Sequence, residues 1–487
     1  MLTYGSRLNC GQINYMLNNM SDINAIISTD SRPQLPFDLQ LEQNNYQCVQ
    51  ILRDLPERRL AMKAIDSHGK NVVIKLFANQ AKAQKDFERE LQGVDAVKPV
   101  TVKTPKLLLS VSEPYGSALV YDYIENSQAF HLDSAVTERL ALLSKLMLTL
   151  HLGGIYQDDI HLDNLLLSGD EIVLIDLGSV KQSGDGKALD KDTSLTNLAR
   201  LFAQFSLQQR SHLMPLLKAY YEGRGWHYSA DEQQQFSQLL DKTWQQRKTQ
   251  FLKKCFRPCT MTYYQKNIHW QVAAKRDFWQ QSQLQSVRDI EALFAGAQVL
   301  KAGNTATVVR TKLAGREVVI KRYNIKNLGH AISRCWRPSR AAASWCNANL
   351  LVFSGIPTTE PLAFIEKRMG PLRQTAYFIS EYHEAEELLD VYQQRMPTES
   401  EVSQIQTIFS DLNTMQVGHG DMKAQNLLLD KQGKIRLIDL DAMREYGNKK
   451  QAIMAHLQDK KRFLKNWKNP ELEAFFRVML QGQNTRL

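Results

Sequence analysis

Four residues recur in the same order in both halves of the chain, and no other feature of the sequence restricts its fold as tightly. The β-branched run "NVVIKLFA" carries Lys75, and "EVVIKRYN" carries Lys321. Asp159, Asn164 and Asp176 follow the first lysine; Asp421, Asn426 and Asp439 follow the second. The gaps are 84, 5 and 12 residues in the first series and 100, 5 and 13 in the second. One Asp with an Asn five residues later is an ordinary turn-capping pair. The ordered lysine and second Asp, present twice, instead mark a repeated structural unit.

The segments around these residues predict matching elements. "LKAGNTATVVRTKLAGREVVIK" has the short apolar runs and turn residues of an antiparallel sheet. After each lysine comes a helical pattern, "QAKAQKDFERELQGV" and "SRAAASWCNANLLVFSG", the latter stopped by Gly355 and Pro357. "YGSALVYDYIE" and "QTAYFISEYHE" read as strands, and "TERLALLSKLMLTLHLGG" and "ESEVSQIQTIFSDLNTMQVG" as amphipathic helices ending at glycine. The expected fold class is α+β: a small antiparallel sheet lobe followed by a helical lobe, in tandem. The expected boundaries are a polar N-terminal segment at 1–40, a first domain at 41–285 and a second at 290–487, with its sheet starting near Glu291.

This residue set suits phosphoryl transfer, which needs positive charge on the donor phosphates, a bridging divalent metal and a carboxylate near the attacking hydroxyl. Lys321 and Lys75 would reach donor phosphates. Asn426 and Asp439, with Asn164 and Asp176 in the first series, offer the hard oxygen ligands that Mg²⁺ prefers. Asp421, and Asp159 in the first series, would orient or deprotonate the acceptor. Lys423 either contacts the γ-phosphate or faces solvent, and His419 is expected to brace the loop. Gly303, in "KAGNTATVV", fits a loop covering phosphates and fits a plain hairpin turn equally well. The first series has no glycine from Tyr46 through Ser67, so any phosphate cover there must be built differently. Glu88 or Glu90 could pair with Lys75, whereas Ser339 to Phe353 contains no acid.

With "VVIK", "HGDMKAQN" and "IDLD" in these positions, the chain resembles the protein-kinase-like superfamily. More narrowly, "IKRYNIKNLGH…RPSRAAASWCNANLLVFSGIPTTEPLAF" looks like the bacterial lipopolysaccharide core kinase family over about 290 to 470, and "YQDDIHLDNLLL" is similar to it more loosely. The resemblance implies two tandem kinase-like bilobal domains using ATP and Mg²⁺ to phosphorylate a heptose or Kdo sugar of the lipopolysaccharide inner core. The second, with its fuller HGD loop and the added Asp441, is the expected catalytic copy. The first is either degenerate, regulatory or also active. Two rivals stand beside this: a phosphotransferase for a soluble hydroxylated compound, since HGD with IDLD is also similar to aminoglycoside phosphotransferases, and a pseudokinase scaffold in envelope biogenesis. Only 48 residues follow Asp439, which argues for a short helical lobe and against a protein acceptor.

Charge and composition narrow the partners. A net charge of +10 favours anionic ones. From Lys321 to Thr359 there is no acid, while Lys326, Arg334, Arg337 and Arg340 accompany Trp336 and Trp345. This run suits either peripheral docking on an anionic membrane or glycolipid, or a solvated basic helix with buried tryptophans. No nucleic-acid module is recognisable. The N-terminus lacks a secretory pattern, and no apolar run approaches membrane-span length, so a cytoplasmic protein, peripheral at the inner membrane of a Gram-negative bacterium, is expected. The six scattered cysteines, including Cys255 and Cys259, are expected to be reduced thiols without metal.

Overall fold

The computed structural model describes residues 23–28, 34–132, 136–184, 186–303, 305–324, 338–370 and 372–481. The fold is α+β with antiparallel sheets, in two compact units. The first comprises the chain through Phe205 together with Arg210–Trp244, and the second Ser206–Gln209 and everything from Gln245 on. No helix among the described residues is long and apolar enough to cross a membrane.

The first unit is built on a six-stranded sheet of β1 (Phe37–Leu41), β2 (Asn44–Leu55), β3 (Arg59–Asp66), β4 (Asn71–Phe77), β5 (Leu107–Glu113) and β6 (Gly116–Asp122), in the order β1-β2-β3-β4-β6-β5. Strand alternation decides what faces where. In β4, Val72, Ile74 and Leu76 enter the core, so Val73 and Lys75 lie on the opposite face. Each fully buried aliphatic side chain of this kind contributes about 1.5–3 kcal/mol. The core also takes Ile23, Ile26 and Ile27 from a short helix, Ile23–Ile27, whose apolar residues have helical spacing. The polar 1–40 segment therefore needs correction: its described part supplies both this helix and the first strand. Helix α1 (Ala81–Val97) follows β4, and the helical part contains α2 (Val136–Leu152), α3 (Lys191–Phe202) and α4 (Leu213–Gly223).

His151, at the end of α2, is fully buried between the Tyr220 hydroxyl at 2.6 Å and Asn197 Oδ1 at 3.1 Å. Burial, with Arg224 adding to it, pushes the imidazole down to about 4. The unfolded chain then binds the proton more readily between about pH 6.5 and 4, so the His151 contribution is whole above pH 6.5 and is lost as pH falls through that window. The expected loss at pH 4.5 is about 2–3 kcal/mol. Urea unfolding at pH 7 and 4.5 checks this: His151→Gln should flatten the pH slope, and an identical slope in the variant would refute the assignment.

The second unit carries a seven-stranded sheet of β7 (Thr262–Lys266), β8 (Trp270–Lys275), β9 (Gln298–Ala302), β10 (Ala306–Leu313), β11 (Arg316–Tyr323), β12 (Pro361–Met369) and β13 (Leu372–Glu381), in the order β7-β8-β12-β13-β11-β10-β9. The expected boundary near 285–290 is thus too late. Trp270 to Ala274 pair antiparallel with Lys367 to Ala363, so two strands upstream of Glu291 belong to the second sheet. Helix α5 (Ala230–Lys254) precedes them, and its residues from Gln245 on already belong to this unit.

Helix α6 (Arg340–Ser354) starts at Ser339, whose side chain accepts from Ala342 N, and stops at Gly355 with φ 77°. There Ile356 N donates to Leu351 O at 2.9 Å, a closure that needs a left-handed residue and therefore glycine. Trp345 is buried on this helix, donating its Nε1–H to Cys255 O at 3.0 Å. It packs with Tyr323, Phe364 and Ala376, so it serves the core and not a docking face. Lys326, Arg334, Trp336 and Arg337 lie outside the described residues. The longer helices that follow in this unit are α7 (Glu399–Thr414), α8 (Lys449–Leu464) and α9 (Pro470–Gln481). Cys48, Cys255, Cys259 and Cys346 are free thiols.

Candidate functional site

In the second unit a short turn, Ala424–Asn426, leads into the strand Leu427–Asp430, which pairs with Ile435–Leu437. Ile438 N donates to Asn426 O at 2.9 Å, which places Asn426 beside the residue that follows, Asp439. Asp439 sits at φ 59°, ψ 57°. A non-glycine residue in the left-handed region costs of order 1–3 kcal/mol, and Asp tolerates it better than most. Such strain is a pointer to function because the surrounding structure must enforce it.

The Asp439 carboxylate pairs with Lys321 from β11. Val318 and Ile320 anchor that strand in the core, with Lys321 on the other face. Burial tends to raise the Asp439 carboxyl, but Lys321 outweighs it and holds the group below the ordinary carboxylate value. Asp441 approaches Lys321 at 3.6 Å. Arg340 stands 2.7 Å from Asp441 Oδ2, an ion pair whose geometry leaves that oxygen without a hydrogen bond.

Asp421 is held through its backbone. Its N–H donates to His419 Nδ1 at 3.3 Å, and its carbonyl accepts from Asn426 Nδ2 at 2.7 Å. The side chain pairs with Lys423 at 2.9 Å. His419 is fully buried and spans the site, its Nε2 donating to Ile438 O at 3.1 Å. Burial pushes its pKa down, which keeps the ring neutral and preserves this tautomer. One residue was not foreseen. Asp459 of α8 accepts from His419 N at 2.6 Å and from Gly420 N at 3.1 Å, and pairs with Arg462 at 2.9 Å. The signal was an acid on the buried stripe Ala452, His456, Asp459, Phe463, where helical spacing otherwise asks for apolar residues. Gly303 lies in the β9–β10 turn, its N–H donating to Ala306 O at 3.0 Å.

The first unit repeats much of this geometry. Ile175 N donates to Asn164 O at 2.8 Å, and Asp176 again lies in the left-handed region, at φ 59°, ψ 68°. Lys75 pairs with the buried Glu90 of α1, and stands 3.4 Å from Asp176. Glu88 is exposed. Asp159 is largely exposed, 3.6 Å from His161, and Asn164 Nδ2 reaches its carbonyl only at 3.5 Å. Gln157 occupies the bracing position, donating to Asp176 O at 3.1 Å.

The two units anchor the strand lysine differently. Glu90 reaches Lys75 from a helix, and Gly178, two residues after Asp176, leaves room for it: a Cβ there would meet Glu90 Oε2 at 2.9 Å. In the second unit the equivalent position is Asp441, which supplies the second carboxylate from the loop. The helix contributes Asn347 instead, donating to Leu440 O at 2.8 Å and Met443 O at 3.0 Å. The acid that seemed to be missing from α6 has therefore moved to the loop.

As to metal, Asn426 commits its N–H, and not its oxygen, to Asp421, and Asp439 is a hard anionic ligand beside it; that donor set fits a divalent ion. Among the described residues there is no group of three or more His, Cys, Asp or Glu that could hold a metal ion.

Residues 296–478 match the family model described as lipopolysaccharide kinase (Kdo/WaaP) family. Among solved structures, a crystal structure of the BubR1 kinase domain is similar at 13% identity and a TM-score of 0.28, covering 34% of this chain and 64% of that one. The chain thus spans less than two thirds of that structure's length. No curated protein matches it.

Proposed function

We propose that the second unit, which contains the segment 296–478 matching the lipopolysaccharide kinase (Kdo/WaaP) family model, transfers the γ-phosphate of ATP to a heptose or Kdo hydroxyl of the lipopolysaccharide inner core. The observation that carries this reading is the pairing of Lys321 with a left-handed Asp439 that lies beside Asn426, all inside the matched segment.

Lys321, released from Asp439 as donor phosphates arrive, would hold their charge. Asn426 and Asp439 would hold Mg²⁺, which when bound neutralises the phosphates. Asp421 would accept the hydroxyl proton as the acceptor oxygen bonds to phosphorus and the bond to ADP breaks. Lys423, 2.9 Å from Asp421, is placed to offset charge on the transferring group. His419 and Asp459, through their bonds to the loop backbone, would hold it in place.

The test is transfer of labelled γ-phosphate by the full chain to purified core lipopolysaccharide, with a soluble aminoglycoside as the competing acceptor. Label on an inner-core sugar is the expected result. Label on the soluble acceptor alone would refute the glycolipid assignment, and label on neither would refute the transferase reading.

A further inference from the structure

The first unit contains a cleft of about 530 Å³ with a mixed lining. Ala61, Val73, Tyr121, Leu166 and Ile175 supply apolar surface, and Lys75, Arg53 and Arg59 gather around Asp176. The volume lies in the range of small-molecule sites. Apolar and aromatic surface beside clustered cations is the chemical complement of an aromatic base joined to a polyphosphate.

The cationic cluster has an unusual source. It adjoins a recess of about 220 Å³ lined by Arg53, Arg58, Arg59, Arg89, Asp159 and Asp176. Three of these arginines come from the hairpin joining β2 to β3, the stretch without glycine. The β2–β3 register shifts between Ile51 and Arg53, a bulge that re-aims the strand there. Arg53 stands 3.5 Å and Arg59 3.8 Å from Asp176, with Lys75 at 3.4 Å. Arg58 is held at 2.5 Å from Asp86, yet its Nε is buried without a hydrogen bond.

Charge decides what this arrangement accepts. Lys75, Arg53 and Arg59 meet two carboxylates, Asp176 and Glu90. In the second unit Lys321 and Arg340 meet two, Asp439 and Asp441. A divalent cation at Asp176 would enter among guanidinium groups that already neutralise its ligand, so the first site does not fit a metal. A polyphosphate supplies the negative charge by which Lys75, Arg53 and Arg59 exceed Asp176 and Glu90, and Arg recognises it through paired N–H donors.

We propose that the first unit is a second nucleoside-triphosphate site that grips the phosphates with Arg53, Arg58 and Arg59 and needs no divalent metal. It rests on the first unit alone and is independent of the acceptor proposed for the second.

Calorimetric titration of ATP into the full chain tests it, with Lys321→Ala as background to weaken the second site. In excess EDTA one nucleotide per chain is expected, with a Kd within about threefold of that in Mg²⁺, and AMP should bind far more weakly. Arg53→Ala with Arg59→Ala should weaken ATP by at least about 30-fold. The corresponding double Lys variant should recover part of that loss, and thermal unfolding of each variant reports whether it is folded. Asp176→Asn separates the alternatives: a metal-held nucleotide would be lost, whereas an arginine-held one tightens because the guanidinium groups lose their internal competitor. Absence of ATP binding in EDTA, loss of binding in Asp176→Asn, or undiminished binding in the double Ala variant would each overturn the proposal. None of these readouts depends on phosphoryl transfer, so failure of the second unit's activity leaves them interpretable.

Discussion

Asp421→Ala is expected to lower phosphoryl transfer by about 10³-fold, the scale of a lost general base, while leaving the fold intact. The structure separates those two effects. What holds the loop is the Asp421 backbone, through its N–H to His419 and its carbonyl from Asn426, and alanine keeps both. The side chain meets only Lys423 among the contacts described above, a half-exposed pair contributing at most about 1 kcal/mol. Unfolding midpoints should therefore coincide while rates diverge. Comparison of single-turnover rates for wild type, Asp421→Ala and Asp159→Ala locates the chemistry. A wild-type rate in Asp421→Ala, with loss in Asp159→Ala, would move the reaction to the first unit.

Asp459→Ala should act in the opposite sense, on stability first and activity second. Asp459 is buried and satisfies two amides of the loop, His419 N and Gly420 N. Deleting its carboxylate strands both donors, and it removes the partner of Arg462, which is exposed enough to recover water. Two unsatisfied groups cost about 1–3 kcal/mol each, and since Gly420 is only part-buried a loss of about 3 kcal/mol, in the lower half of the summed range, is expected. For a unit of this size that lowers its melting transition by roughly 6–12 °C. Asp459→Asn, which keeps one acceptor oxygen, should fall between. Scanning calorimetry reads the effect, and an unchanged second-unit transition would show that Asp459 does not carry the loop. Activity should fall with it, because Gly420 precedes Asp421 at φ 81° and a Cβ there would meet Ala442 O at 2.7 Å; the turn has little room to rearrange.

How much of this was legible depended on distance along the chain. The strand lysines, the helix from Ser339 to Gly355 and the Asp-Asn loop are written in local patterns of period two, of capping and of fixed spacing, and the structure carries them at those positions. The strands Thr262–Lys266 and Trp270–Lys275 are not legible locally because they are short, follow a long basic helix, and join the sheet only where Trp270–Lys275 meets Pro361–Met369 some ninety residues later. Asp459 braces a loop forty residues upstream, and no local rule connects the two. The arginine cluster was visible as composition, in "LRDLPERRL", but its direction depends on a bulge whose register only pairing reveals. The exchange of Glu90 for Asp441 was likewise half visible: the missing acid in one helix and the extra acid in one loop were both noticed, but only the shared contact with a lysine joins them.

That exchange changes what each lysine depends on. Glu90 comes from the helix Ala81–Val97 and Asp176 from the loop, so the carboxylates set around Lys75 depend on where that helix packs. Neither carboxylate of Lys321 comes from the helix Arg340–Ser354, since Asp439 and Asp441 lie on one loop. In the second unit the helix reaches the lysine only through that loop, by Asn347 to Leu440 O and Met443 O and by Arg340 to Asp441.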